Sequence, residues 1–227
     1  MSATADHFAD HFALLGEPRR PWLEAEALKV RFLALSATAH PDRFHSAPAA
    51  EQAAANARFQ SLNAAYNCLR DPKERLQHLL TLERGMKPAE VHAILPGTAD
   101  LFLEVGQLCR GVDAFLAEKD RATAPLLKAQ LFQQAAVWSG RIATFQQKIS
   151  AQRATAEEEL RALDAAWQTG ARPFDALEQL FHRLSYLTRW QQQLQERVVR
   201  LALSRRIPHL PSRRGRRRFT GGRQLRR

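Results

Sequence analysis

Apolar residues recur at three- and four-residue intervals through almost the whole of this 227-residue chain. That spacing places them along one face of an α-helix, and no stretch shows the every-second-residue alternation of a half-buried strand. We therefore predict an all-α protein. With 45% hydrophobic residues the chain can bury a substantial core, and its length suits one or two domains.

The first 85 residues contain four predicted helices, with a sharp corner between the second and the third. The second helix runs from Trp22 to Ala39 and carries a core-facing apolar stripe. It must end there, because the next residue, His40, precedes Pro41 and is therefore excluded from the helical region. A third helix is predicted over 50–69 and a fourth, short one over 73–82.

Residues 86–98 are broken by prolines and glycine and are predicted to form a linker. Beyond it, three stripes of leucine, valine and aromatic residues repeat at nearly 3.5-residue spacing, which predicts a three-helix bundle over 99–203. Its middle helical region, 125–168, is long, and the sequence leaves open whether it kinks at Gly140. The stripe of the last helix is predicted to pass through Gln191.

The net charge of +11 is concentrated at the C-terminus. Residues 204–227 hold ten of the 34 basic residues and no acidic one, so the rest of the chain has 24 basic against 23 acidic residues. Prolines, glycines and the lack of apolar periodicity predict a disordered tail. Such a tail suits nonspecific binding to RNA, DNA or an acidic membrane surface, and the alternative is a solvated extension without a dedicated role. Its densest basic cluster is Arg213, Arg214, Arg216, Arg217 and Arg218.

Several function classes are excluded by motifs that the sequence lacks. The N-terminal segment has no basic region followed by an apolar one, and no run approaches the roughly 18 apolar residues of a membrane span. We therefore predict a cytoplasmic protein without a membrane span. There is no phosphate-binding glycine loop and no GxSxG motif, so we predict neither enzymatic activity nor a cofactor.

Cysteines and histidines give no metal-binding pattern. Cys68 and Cys109 are too far apart for a metal finger or a redox pair, and we predict two small buried residues in a reducing compartment. A helix carries His7 and His11 four residues apart, and two further histidines, His40 and His45, lie near the corner. Without a nearby cysteine or a His-Glu-x-x-His frame they match no zinc ligand set, so we predict no metal site.

The tripeptide His40-Pro41-Asp42 lies between two amphipathic helices, in an arrangement that resembles the J-domain of DnaJ-type co-chaperones. Three segments, HFALLGEP, LEAEALKVRFLALSATAHPDRFH and FQSLNAAYNCLRDPKERLQHLLTLERG, are similar to HscB, the J-domain protein of iron–sulfur cluster biogenesis. The similarity covers residues 7–85 strongly, and 98–118 and 173–203 more weakly. The positions that carry it are Phe12, Leu15, Gly16, Arg43, Phe44, Asn63, Ala65, Tyr66, Leu69, Leu79, Leu80 and Leu82.

This resemblance implies that the corner docks on an ATP-bound DnaK- or HscA-type chaperone and triggers ATP hydrolysis there. The residue types agree with such a role. Asp42 offers a carboxylate for a bidentate arginine contact, Pro41 restricts the backbone, and His40 supplies a directional hydrogen-bonding group. The alternative is a helix-capping turn in which the Asp42 carboxylate accepts a hydrogen bond from a nearby amide.

Docking of a J-domain also implies a basic face, for which Lys29, Arg31 and Arg43 are available. Lys29 and Arg31 are equally compatible with an ordinary solvated helix surface. The segment ALSATA, residues 34–39, lies immediately before His40 and is uncharged where HscB-type sequences commonly carry lysine or arginine. Because loss of such charge mainly lowers an association rate, we expect a slower or differently oriented encounter.

The resemblance further implies that the C-terminal bundle presents an apolar and acidic patch to an IscU-like iron–sulfur scaffold protein. Residues of a heptad stripe more often pack inward than bind a partner, so several candidates are equally compatible with a core position. Gly106, Gln107 and Arg110 also stand where relatives tend to have leucine and acids. By position, the candidate client-binding residues are Phe102, Leu103, Glu104, Tyr186 and Leu187.

Two functions follow from the sequence. The first is a co-chaperone of the HscB kind that assists iron–sulfur cluster assembly. The second is a helical protein associated with nucleic acid or the ribosome, in which the arginine-rich tail binds and the J-like part recruits a chaperone.

Overall fold

The computed structural model describes residues 9–89 and 98–203, which contain seven α-helices and no strand. The predicted all-α class is therefore confirmed, with a helical hairpin followed by a longer helical bundle. None of the helices in this part of the chain is both long and apolar enough to cross a membrane. The helices are α1 (His11–Leu15), α2 (Ala25–Ala39), α3 (Ala49–Arg70), α4 (Pro72–Arg84), α5 (Ala99–Arg121), α6 (Pro125–Gln168) and α7 (Phe174–Leu203), with a 3₁₀ helix (Pro41–Phe44) between α2 and α3.

Local sequence signals set the ends of the short helices. Gly16 and Gly85 have φ angles of 67° and 72° and end α1 and α4, as a glycine in the left-handed region does. The carboxylate of Asp71 accepts hydrogen bonds from the backbone N–H groups of Lys73 (2.9 Å) and Glu74 (3.1 Å) and so caps the start of α4. Each of these caps is made by a residue next to the helix end.

The start of α2 differs from the prediction, because the helix begins at Ala25 and not at Trp22. The backbone N–H of Trp22 donates to the carboxylate of Asp164 on α6 at 3.1 Å. Glu24 occupies the N-cap position in an extended conformation, without a capping hydrogen bond from its side chain. A contact with a distant helix therefore holds this segment outside the helical region.

A first hydrophobic core joins the N-terminal hairpin to the C-terminal helices. Phe12, Leu62 and Leu76 are fully buried in it, on α1, α3 and α4. The same cluster contains buried residues of α6 and α7, so the N-terminal helices share their core with the far end of the bundle. These residues are Ala156, Leu160, Trp167, Leu177, Leu180, Phe181 and Leu184.

A second hydrophobic core lies between α5, the first half of α6 and the second half of α7. Helix α6 continues through Gly140 without a break, which answers the question that the sequence left open. The prediction that Gln191 lies on the buried stripe of α7 is wrong, because Gln191 is exposed and Trp190 is buried. Leu187, Trp190 and Leu194 follow the i, i+3, i+7 spacing of one helical face.

Gly111 on α5 sets how closely α6 can approach. A Cβ atom at Gly111 would lie 2.6 Å from Cη2 of Trp138, whose ring also packs near Phe115 and beneath Arg141. A Cβ atom at Gly140 would meet nothing within 4 Å. Glycine inside a helix costs about 1 kcal/mol relative to alanine, so Gly140→Ala is the matched control.

We expect Gly140→Ala to raise the free energy of unfolding by up to about 1 kcal/mol. Gly111→Ala is expected to lower it by about 1 to 3 kcal/mol, because the packed indole ring of Trp138 must move. Urea unfolding of the two variants measures the difference. If both substitutions raised the free energy of unfolding equally, the close approach of α5 and α6 at Gly111 would contribute nothing to stability.

Candidate functional site

The His40-Pro41-Asp42 corner has the geometry that its covalent structure dictates. Helix α2 ends at Ala39, and His40 is extended, with φ −64° and ψ 131°. The 3₁₀ helix starts at Pro41, and the backbone N–H of Arg43 donates to the carbonyl of His40 at 3.0 Å. The corner is thus one tight turn between α2 and α3.

The side chain of Asp42 projects into solvent, with 89% of its surface exposed. The backbone N–H of Asp42 donates to Nδ1 of His40 at 3.3 Å, so the imidazole caps the turn and the Asp42 carboxylate does not. Carboxylate Oδ2 lies 3.5 Å from the same Nδ1. When Nδ1 accepts a hydrogen bond it carries no proton, which leaves Nε2–H as a donor. The corner therefore presents an exposed carboxylate beside an imidazole donor.

Neighbouring side chains hold this corner in place. The imidazole ring of His40 packs edge-on against Phe59 of α3, with ring centroids 5.3 Å apart. Nδ1 of His45 lies 2.9 Å from the carbonyl of Asp42, and the side-chain amide of Gln52 donates to the carbonyl of His45 at 3.2 Å. A braced loop loses little conformational entropy on binding. No pattern in the sequence pointed to Gln52.

Two of the predicted basic residues make only weak contacts with the rest of the protein. Lys29 is half exposed, and its Nζ lies 3.8 Å from the Glu26 carboxylate on the same helix face. Arg43 is exposed, and its guanidinium donates to the carbonyl of Ala37 at 3.5 Å. Exposed pairs of this kind contribute little to stability, so both cations are free to meet an acidic partner.

Arg31 is committed to the fold to a greater extent. Its Nε lies 3.1 Å from the carboxylate of Glu17, and its Nη1 donates to the carbonyl of Gly16. The side chain thereby closes the C-terminal end of α1, where a cation is favourable. Half of its surface remains exposed.

The α5 part of the predicted client patch is at the surface. Phe102 is 43% exposed and Leu103 is 58% exposed, both large values for apolar side chains. Glu104 is exposed as well and pairs with Lys148 of α6, Nζ to Oε2, at 2.8 Å. These three residues form one continuous stretch of α5.

The α7 part of that patch is largely inside the protein. Tyr186 is partly buried, and its ring packs against the ring of Trp190. The guanidinium of Arg189 lies 5.9 Å from the centroid of the Tyr186 ring. Leu187 is only 1% exposed and belongs to the second core. The prediction is therefore wrong for Leu187, because a helical stripe residue faces whichever helix packs on it.

Some residues that the sequence analysis discussed lie outside the described part of the chain. These are His7, most of the predicted linker (90–97), and the arginine cluster Arg213, Arg214, Arg216, Arg217 and Arg218. Among the other histidines, His11 lies beside His78 of α4 rather than beside His40. Both cysteines are free thiols, Cys109 buried and Cys68 partly buried.

Comparison with known proteins agrees with this architecture. A family model described as DnaJ domain matches residues 10–78. The chaperone HscB from Vibrio cholerae is 20% identical with a TM-score of 0.56, over 83% of this chain and 96% of that one. The human co-chaperone protein HscB is 16% identical with a TM-score of 0.49, over 84% of this chain and 83% of that one. Residues 10–78 match the DnaJ domain family, and the described helices share the fold of HscB.

Proposed function

We propose that this protein is a J-type co-chaperone that docks through its His40-Pro41-Asp42 corner on a DnaK- or HscA-type chaperone and stimulates ATP hydrolysis there. The protein performs no covalent chemistry itself. The hydrolysed bond belongs to ATP on the partner, and this chain contributes a contact that favours the hydrolytic state.

The observation that carries the proposal is the exposure of Asp42 on a braced corner. A carboxylate that is 89% exposed keeps most of its acceptor capacity for a partner. An arginine of the chaperone can bind both carboxylate oxygens through two parallel N–H···O bonds. Arg43 adds positive charge at the corner, and Lys29 and the half-exposed Arg31 add it along α2.

Single-turnover ATP hydrolysis by a DnaK- or HscA-type chaperone, with and without this protein, tests the proposal. We expect the intact chain to accelerate hydrolysis. A form with alanine at positions 40, 41 and 42 should bind the chaperone weakly in a pull-down and should leave its basal rate unchanged. Equal stimulation by both forms would refute the assignment of the corner.

We further propose that the exposed α5 stretch Phe102-Leu103-Glu104 binds an IscU-like iron–sulfur scaffold protein. Phe102 and Leu103 supply exposed apolar surface and Glu104 supplies an exposed carboxylate, which suits an apolar contact with a charged edge. Tyr186 is a weaker candidate because its ring already packs within α7. Cluster assembly would then be the process that the co-chaperone assists.

Leu103→Glu is expected to weaken binding of an IscU-like scaffold at least about tenfold, because it places a charge in the apolar patch. The substitution should not unfold the protein, since Leu103 is 58% exposed. Leu126→Glu is the matched control, because Leu126 is 74% exposed on α6. Isothermal titration with the scaffold measures both affinities. Equal losses in the two variants would contradict the assignment of α5.

A further inference from the structure

Three metal-binding side chains from three different helices meet in the N-terminal part of the fold. They are His11 at the start of α1, Cys68 on α3 and His78 on α4, and each is partly buried. One ligand atom from each lies within 4.8 Å of the other two. The co-chaperone proposal makes no use of this cluster.

Local hydrogen bonding leaves one nitrogen of this cluster without a partner. Nδ1 of His11 is buried and has no hydrogen-bond partner within the described structure. The Cys68 thiol reaches only the carbonyl of Glu74, with Sγ 3.6 Å from the oxygen. Nε2 of His78 accepts the backbone N–H of His11 at 3.0 Å, and the two imidazole rings stack with centroids 4.5 Å apart. A buried nitrogen without a partner is costly unless another group, such as an ion, satisfies it.

We propose that His11, Cys68 and His78 form a binding site for Zn²⁺, with water as the fourth ligand. Two imidazole nitrogens and one thiolate are a ligand set that zinc accepts in tetrahedral sites with one open position. An oxygen-preferring ion such as Mg²⁺ is disfavoured, because the cluster contains no carboxylate.

The protonation states suit this assignment. Burial, helped by the neighbouring His11, lowers the pKa of His78 to about 4, and burial also lowers the pKa of His11. Both imidazoles are therefore neutral near pH 7, as a metal ligand must be. Burial raises the pKa of the Cys68 thiol to about 11, so that group carries its proton before binding. When sulfur bonds to Zn²⁺, the S–H bond breaks and the proton passes to the solvent.

Binding requires a local rearrangement. Bond lengths of about 2.0 Å to nitrogen and about 2.3 Å to sulfur draw the ligand atoms closer together than their present limit of 4.8 Å. The stacked rings must rotate so that both lone pairs converge. A neutral imidazole has a single unprotonated nitrogen, so His78 must release the His11 N–H when it binds the ion.

Cobalt titration of the full-length, tag-free, reduced protein tests the site, because Co²⁺ bonded to thiolate gives a sulfur-to-metal charge-transfer band. We expect the wild type to show this band at one ion per chain and to lose it when Zn²⁺ is added. Cys68→Ser should lose the band, whereas Cys109→Ser, the matched control at the other cysteine, should keep it. His78→Gln should lose it and His182→Gln should keep it.

Thermal unfolding without metal tests whether Cys68→Ser is folded. If His78→Gln does not fold, the cobalt band of Cys68→Ser alone tests the site. Added Zn²⁺ should raise the midpoint of the wild type and of Cys109→Ser but not that of Cys68→Ser. Absence of the band in the folded wild type would overturn the proposal. Its persistence in Cys68→Ser, or its loss in Cys109→Ser, would place the ion elsewhere and would also overturn it.

Discussion

Asp42→Asn is expected to reduce stimulation of the partner ATPase at least about 30-fold at a fixed subsaturating concentration. That factor corresponds to about 2 kcal/mol, the low end of the cost of removing one partner from a charged hydrogen-bonded pair. Asparagine has nearly the same shape as aspartate, but it has no charge and only one acceptor oxygen. A bidentate contact with an arginine therefore becomes a single neutral hydrogen bond.

The same substitution should leave the stability of the protein unchanged. The Asp42 side chain is 89% exposed, and the cap of the turn is Nδ1 of His40, which the substitution retains. Asp175→Asn is the matched control, since Asp175 is 97% exposed and lies far along the chain on α7. Stimulation should survive in that variant. A normal rate with Asp42→Asn, or a lowered unfolding midpoint, would assign Asp42 to the fold instead of to the partner.

Asp164→Asn is expected to lower the free energy of unfolding by about 3 kcal/mol. The carboxylate of Asp164 is almost fully buried and accepts hydrogen bonds from the Arg20 guanidinium, the Trp22 backbone N–H and the Gln168 amide. Breaking a buried ion pair costs about 3 to 5 kcal/mol, and the low end applies because Arg20 is 30% exposed. For a chain of this size the melting midpoint should fall by about 6 to 12 °C.

The pH dependence of this loss follows from the state of the carboxyl. Burial raises the pKa of Asp164, but the hydrogen bonds from Arg20, Trp22 and Gln168 outweigh burial, and the pKa lies below its ordinary value of 3.8. The contribution of Asp164 is therefore complete above about pH 4 and disappears as the pH falls through the folded-state pKa. The stability difference between wild type and Asp164→Asn should shrink in that direction.

Denaturant unfolding at several pH values measures this difference. Glu158→Gln is the control, because Glu158 is an exposed acid on the same helix, and it should change stability by no more than about 0.5 kcal/mol. A loss that stays constant down to strongly acidic pH would contradict an ionic role for Asp164. An equal loss in Glu158→Gln would contradict the importance of the buried pair.

The candidate corner was predictable from sequence to an unusual extent because its geometry is local. The extended conformation of His40 follows from Pro41, and the two helices that flank the corner follow from apolar periodicity. The exposure of Asp42 was not predictable, since it depends on which side chain caps the turn. In the structure His40 takes that role, and the carboxylate remains exposed.

The predicted client patch illustrates why surface positions of the bundle were harder to predict from sequence than the corner. Periodicity identifies the apolar face of a helix but does not identify the element that covers it. Phe102 and Leu103 are left exposed at the surface of the bundle, whereas Leu187 of the same predicted patch is covered in the second core. Only the packing of the three helices distinguishes a surface position from a core position.

The sequence by itself determined the helical class, the helix ends at Gly16 and Gly85, and the corner at His40, because each depends on neighbouring residues along the chain. The tertiary structure alone decided that the N-terminal helices share a core with α6 and α7, that Asp164 holds Trp22, and that His11, Cys68 and His78 meet. Those contacts join residues far apart in the chain. They form because amphipathic helices bury their apolar faces against one another, and no local pattern specifies the partner.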